Sequence, residues 1–230
     1  MLKIDVQTGN IVRLQSPLSE SNVRWCFGDV GNDGNVYYFP SNAGRILKVD
    51  TTNDTVSTVG DDLGEGRYKY IGAVKANNGC IYGIPRRTKR IVKYDPTSPD
   101  TISTVGDETE EDFDCRGNGA LGSDGNIYAV TVRGEILQID VANNTHSIVA
   151  RTLQSIEYGW YGAIAGGDGK IYFIPRDASN VLMYDLATKE ASVVGKDLGD
   201  GKNKWMGGAT KSIDGIIYCM PYQANRIRAI

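Results

Sequence analysis

The sequence predicts an all-β fold: a five-bladed β-propeller of four-stranded antiparallel blades, closed by its N-terminal strand. Three observations predict it. First, a short unit recurs five times, as Asp33-Gly34-Asn35-Val36-Tyr37, Asn78-Gly79-Cys80-Ile81-Tyr82, Asp124-Gly125-Asn126-Ile127-Tyr128, Asp168-Gly169-Lys170-Ile171-Tyr172 and Asp214-Gly215-Ile216-Ile217-Tyr218. The steps from tyrosine to tyrosine are 45, 46, 44 and 46 residues, a period that marks propellers and related repeat arrays. Second, each apolar piece is four to six residues long and bounded by Gly, Pro, Asn or Asp, which is a strand pattern, and no stretch sustains a helical period. Third, the two ends of the chain carry partial repeats that complement one another.

Each repeat reads as four strands, A to D. The Asn/Asp-Gly pair joins A to B, and the spacing predicts a two-residue hairpin with positive φ at both central positions. Strand B, as in Ile81-Tyr82-Gly83-Ile84-Pro85 and Ile171-Tyr172-Phe173-Ile174-Pro175, is apolar on both faces and so needs cover on both sides. The repeated tyrosines are expected between blades, with their hydroxyls seeking partners at a blade edge. Strand C closes on Asp50, Asp95, Asp140 and Asp185, whose carboxylates are suited to accept from turn amides. Acids that recur in every copy at a turn read as scaffold, not as catalytic groups or metal ligands.

The ends predict closure. Met1 to Asp5 and Asn10 to Leu14 resemble strands C and D, while Trp205 to Ile230 supplies A, B and C. The last blade would borrow its D strand from the N-terminus, a device that leaves no blade uncapped. One domain then spans residues 1–230, with 1–14 as closing strands. Strand C is counted six times, because Leu2-Lys3-Ile4-Asp5 and Arg226-Ile227-Arg228-Ala229-Ile230 both match it. The redundant copy must be displaced, pair with another chain in self-association, or mark a piece of a longer repeat protein.

Trp160-Tyr161-Gly162 with Asp168 to Pro175, and Trp205-Met206-Gly207-Gly208 with Ile217-Tyr218-Cys219-Met220-Pro221, carry a resemblance. The pattern resembles the β-propeller repeat proteins loosely grouped as kelch-like, with W-x-G-G…D-G-x-I-Y-x-I-P repeats over nearly the whole chain. It departs from true kelch repeats, which carry a double glycine after strand B where this chain has Ile-Pro. In repeat count and size it is also similar to five-bladed animal lectins. The resemblance implies the fold; propellers host lectins, scaffolds and enzymes alike.

Composition excludes several classes. A net charge of -3 and a pI near 5.3 give no basic field for nucleic acid. No apolar run is long enough to span a bilayer, and the Met-Leu-Lys-Ile-Asp start lacks a leader pattern, so no membrane partner is expected. Cys26, Cys80, Cys115 and Cys219 show no C-x-x-C spacing, which suggests neither zinc nor a disulfide ladder. Reduced cysteines favour the cytoplasm, while the triplets Asn53-Asp54-Thr55 and Asn143-Asn144-Thr145 keep a secreted protein in view.

Chemistry is sought where the copies differ. The D–A and B–C loops share one face, and the third D–A loop, 107–114, holds six acids in eight residues. It lacks an EF-hand frame, and the neighbouring Arg86-Arg87-Thr88-Lys89-Arg90 predicts a salt-bridged rim. Trp25, Tyr70, Arg116, Trp160 and Trp205 align at the start of strand A. With Arg86 they form the expected ligand-binding set, either as inter-blade wedges or as platforms for sugars or partner side chains. Arg116 breaks the aromatic pattern, so a specific pocket is expected near Arg86, Arg116 and Trp160. One histidine, His146, lies in a D strand, and no nucleophile motif or phosphate loop appears. The expectation is a non-enzymatic protein-interaction scaffold, with a glycan-binding lectin and a hydrolase or lyase at the central channel mouth as alternatives. No cofactor, metal or catalytic residue is assigned.

Overall fold

The computed structural model describes residues 1–14, 25–152, 156–224 and 228–229. Among them all regular structure is strand, and no helix is long and apolar enough to cross a membrane. Four sheets have four antiparallel strands each. They are β3 (Trp25–Val30), β4 (Val36–Pro40), β5 (Ile46–Asp50) and β6 (Thr55–Val59); then β7 (Tyr70–Lys75), β8 (Ile81–Pro85), β9 (Ile91–Tyr94) and β10 (Ile102–Val105). The third holds β11 (Ala120–Leu121), β12 (Ile127–Val130), β13 (Glu135–Asp140) and β14 (Thr145–Arg151). The fourth holds β15 (Trp160–Ala165), β16 (Lys170–Pro175), β17 (Val181–Asp185) and β18 (Glu190–Val194). A three-stranded sheet follows, of β19 (Trp205–Lys211), β20 (Ile217–Pro221) and β21 (Arg228–Ala229), and a hairpin of β1 (Leu2–Ile4) and β2 (Ile11–Arg13) precedes them. The architecture is propeller-like, with consecutive strands paired in order A-B-C-D.

The expected closure is corrected by the pairing. β2 pairs with β1, Lys3 opposite Val12 and Ile4 opposite Ile11, and among the described residues the last sheet stops at β21. A local hairpin closes only a short loop, which involves little entropy, and Asp5 nucleates it by accepting from the Gln7 and Thr8 amides at 2.9 and 3.1 Å. The hairpin lies against the first blade: Leu14 is buried among Leu47, Val49 and Val56, and Lys3 Nζ reaches Asp54 at 2.7 Å. Ile11 and Val12 remain 64% and 49% exposed. Deleting residues 1–14 is therefore expected to remove one well-buried apolar side chain, Leu14, and to destabilise by about 1.5–3 kcal/mol. A urea melt checks this; loss of cooperative unfolding would show the segment to be integral to the ring.

The A–B turns explain the repeated motif. Gly31 and Asn35 pair across three intervening residues, with Gly34 N–H donating to Gly31 O at 3.0 Å and Gly34 at φ 77°. The same bonds recur around Gly79, Gly125 and Gly215. Only the glycine takes positive φ, so the turn is a three-residue loop with a glycine bulge and not the expected two-residue hairpin. The Asp before it accepts three times: Asp33 from Asn35 N–H at 3.2 Å, Asn35 Nδ2–H at 2.7 Å and Tyr37 Oη–H at 2.7 Å, and Asp124 from Asn126 N–H at 3.2 Å, Asn126 Nδ2–H at 3.1 Å and Tyr128 Oη–H at 2.7 Å. This is why D-G-x-[IV]-Y recurs as a unit: the buried phenol needs an acceptor, and the turn carboxylate supplies it.

The acids after strand C are also turn scaffold. Asp50 accepts from the Thr52 and Asn53 amides at 3.0 and 2.9 Å, and Asp185 from Ala187 and Thr188 at 2.8 and 3.2 Å. Backbone hydrogen bonds from Asn53, Ala187 and Thr8, respectively, lead in holding the Asp50, Asp185 and Asp5 carboxyls below the usual 3.8. A folded pKa below the unfolded one means that the stabilisation is complete above pH 3.8 and is lost as pH falls through the folded value. Stability should therefore be nearly level from pH 7 to about 5 and drop below about 4, as urea midpoints across that range would show.

The core is a series of seams between blades. Tyr37, Phe39 and Ile46 pack on Tyr70, Ala73 and Ile81; Tyr82 and Ile84 pack with Ile127 and Leu137; Tyr128 and Val130 pack with Trp160, Phe173 and Leu182. Both faces of the middle strands are thus covered, as their composition requires.

Candidate functional site at the axial mouth

The A strands lie innermost, and their registers correct one sequence alignment. Trp25, Tyr70, Trp160 and Trp205 sit opposite Pro40, Pro85, Pro175 and Pro221. In the third blade the equivalent bridge joins Thr131 to Cys115. Cys115, buried, therefore takes the aromatic's place, and Arg116 takes the next position, shared with Cys26 and Tyr161. The spacing misled because this blade, like the fifth, carries one more residue between this position and the tyrosine of strand B than the other blades do, which only the pairing exposes.

The aromatics are wedges. Trp160 and Tyr70 are 1% and 2% exposed, and their polar tips donate to carbonyls just before strand C, Trp160 Nε1 to Asn180 O at 3.0 Å and Tyr70 Oη to Arg90 O at 3.3 Å. Trp25 Nε1 donates likewise to Arg45 O at 2.9 Å, and Trp205 is buried against Ile174 and Ile217. Trp160, Tyr70 and Trp205 are enclosed between blades, while Trp25 is half-buried.

Arg116 is different. Its side chain is 6% exposed, and Nη2 donates to Asp114 Oδ2 at 3.0 Å. Its ring partner is Tyr158, whose centroid is 4.7 Å from the guanidinium carbon, and Arg176 approaches the same ring at 5.1 Å. Arg86 stacks on Tyr68 at 4.4 Å, with Arg87 at 5.3 Å. Arg86 and Arg176 both follow the proline that ends strand B, and their amides donate to Lys69 O and Gly159 O, each at 2.8 Å. Burial, then the repulsion of Arg86 and Arg176, lowers the Arg116 pKa, against the pull of Asp114. Tyr161 joins the cluster: burial raises its pKa, while Arg86, Arg116 and Arg176 pull the other way and Cys26 adds to the rise.

Close backbone packing holds these groups together. Gly162 N–H donates to Arg116 O at 2.7 Å, and Ala163 N–H to Asn118 O at 3.0 Å. Gly117 has φ 72°, and a Cβ there would collide with the Gly162 backbone and the Tyr161 ring. Four polar atoms of the neighbourhood are buried without a partner in the protein: Arg86 Nε, Arg116 Nε, Asp114 Oδ1 and Asn118 Oδ1. Buried donors and acceptors left unpaired are unfavourable, and four of the six such atoms among the described residues lie in this neighbourhood.

Asp114 also lines a cavity of about 350 Å³, with Glu111, Phe113, Val132 and Arg133. The acidic loop meets the expected B–C loop in one ion pair, Glu108 with Arg90 at 3.3 Å, while Glu111 pairs instead with Arg133 of the next B–C connection at 3.0 Å. His146, on the outer strand β14, has Nε2 2.9 Å from Asp107 O and meets Phe113 edge-on at 5.2 Å. Of the six expected ligand residues, the structure gathers Arg86 and Arg116 at this mouth and uses the aromatics as wedges. Arg176, Tyr158, Tyr161 and Asp114 were missed. The one signal in the sequence was that Arg176 repeats the Pro-Arg pair of Arg86.

The fold is that of a β-propeller-like protein, with a cluster of arginines and tyrosines beside the starts of its A strands. No family model and no curated protein matches the sequence. Solved structures do match. A streptogramin B lyase superposes with TM-score 0.75 at 15% identity, covering 94% of this chain and 67% of its own. A virginiamycin B lyase from Staphylococcus aureus gives 0.77 and 14%, covering 99% and 72%. A catalytically inactive histidine-to-alanine form of the Staphylococcus aureus enzyme, with quinupristin, gives 0.73 and 13%, covering 94% and 68%. At such identities the likeness shows the fold. Against the expectation of a non-enzymatic interaction scaffold, which is corrected here, stand these three matches, each named as a lyase.

Proposed function

We propose that the chain is a lyase acting at the axial mouth, where it breaks a carbon–oxygen or carbon–nitrogen bond β to a carbonyl. The observation that carries this reading is Asp114: one oxygen is held by Arg116, and the other is buried and unpartnered, among guanidiniums and a phenol. The lyases among the fold neighbours support it.

Elimination needs three groups. A base takes the proton α to the carbonyl, a cation steadies the oxygen that gains charge, and an acid protonates the leaving group. Asp114 Oδ1 is the base. Arg116 and Arg86 hold the developing oxyanion in a dry setting, where such stabilisation is strongest. Tyr161, kept protonated by burial, gives its proton to the leaving oxygen or nitrogen as the C–H pair becomes the new double bond. The proton on Asp114 returns to the phenol through solvent after product leaves. One neighbour is inactivated by a histidine-to-alanine change, whereas His146 here lies on an outer strand with Nε2 2.9 Å from Asp107 O and is given no part in the reaction.

The test is incubation with quinupristin and with a panel of β-acyloxy and β-amino acids and their esters. Elimination yields an unsaturated product, and the product masses sum to the substrate mass. Products carrying an added water, or no turnover across the panel, would overturn the proposal.

A further inference from the structure

We infer that the axial mouth recognises a substrate carboxylate, bound between Arg86 and Arg116, and so selects β-substituted carboxylic acids over their neutral esters and amides. This rests on the lyase reading above. The first argument is charge. Arg86, Arg87, Arg116 and Arg176 crowd around Tyr68 and Tyr158, while the carboxylates paired with them are Asp114, at 3.0 Å from Arg116, and Asp177, at 3.9 Å from Arg176. Four cations against two anions in a partly buried site leave an excess of positive charge that a ligand anion offsets.

The second argument is geometry. A tyrosine ring covers one face of each guanidinium, Tyr68 on Arg86 and Tyr158 on Arg116, and the N–H groups lie in the guanidinium planes, along their edges. The Nε of each is buried and has no acceptor. Two guanidinium edges match two oxygens that share a negative charge, which a carboxylate supplies and a neutral carbonyl does not. A neutral ester would leave one buried donor unpaired, a loss that discriminates strongly between ligands. Asn118 Oδ1, also buried and unpartnered, adds an acceptor for a hydroxyl or amine on the same ligand.

The experiment is calorimetric titration of the whole chain at low salt with benzoate, benzamide and inorganic phosphate. Benzoate should bind and benzamide should not. Arg116→Lys keeps the charge but loses the fork, and Arg86→Gln loses both; each should weaken benzoate by about tenfold or more. Arg90→Gln, which removes a charge from the outer rim, should change it by less than about twofold. A thermal melt shows which variants fold, and Arg86→Gln, at a half-buried position, carries the test should Arg116→Lys not fold. Equal binding of benzamide, tighter binding of phosphate than of benzoate, or wild-type affinity in the folded variants would overturn the inference. Benzoate binding without elimination of any panel compound sinks the lyase reading alone; turnover of esters without benzoate binding sinks the carboxylate assignment alone.

Discussion

Asp114→Asn is expected to lower turnover by about 10²–10⁴-fold, the range general-base removal produces, while leaving benzoate binding intact. The split follows from the geometry. Asparagine retains a carbonyl oxygen for the 3.0 Å contact with Arg116 Nη2, so the guanidinium stays in place, but its amide cannot take up a proton. Removing the negative charge also strips Arg116 of its counter-ion, so anion affinity should hold or rise. The check is kcat and KM on whichever panel compound is eliminated, beside calorimetry with benzoate. A variant with unchanged kcat would move the base elsewhere, and one that lost kcat and benzoate together would make Asp114 a positioning residue for Arg116.

Trp160→Ala is expected to destabilise the protein by about 3–5 kcal/mol, as large aromatic truncations in cores do. Trp160 is 1% exposed and packs with Tyr128, Val130, Phe173 and Leu182 in the seam between the third and fourth blades. Its indole N–H bond to Asn180 O, 3.0 Å long, is lost as well. Against a typical total of about 5–15 kcal/mol, this is a large fraction, and for a chain of this size it lowers Tm by roughly 10 °C or more. Differential scanning calorimetry checks it. Trp160→Phe, which keeps much of the volume, should recover most of the loss; if Trp160→Ala melted like the parent, the ring would be no wedge. Loss of a ligand in Trp160→Ala would then report unfolding, not a binding platform.

Two kinds of information met in this chain. The strand composition, the turn residues and the repeat could be read locally. Asp33-Gly34 and Tyr37 act within five residues of one another, so their hydrogen bond is encoded in one short segment and copied along the chain. The same holds for Asp50 and the turn amides. The resemblance to propeller repeats holds at the level of architecture for this reason. The φ of Asp33 was not legible, because a two-residue and a three-residue hairpin can share the same Asp-Gly pair.

Closure and the site were decided elsewhere. Strands 2–4 and 11–13 match the repeat equally well whether they pair with each other or with a distant sheet, and the short loop between them settles it. Arg116 was visible as an odd residue, but its register depended on the Cys115 to Thr131 bridge. Arg86, Arg116, Tyr158 and Arg176 lie up to 90 residues apart, and the B–C and D–A loops of neighbouring blades bring them to one mouth. The sequence by itself determined the strands, the places where they turn and the apolar faces that need cover, since those arise from periodicity and contacts within one repeat. Only the tertiary structure decided which polar atoms are buried together without partners, because that depends on how separate blades converge on the axis, and no single repeat contains that relation.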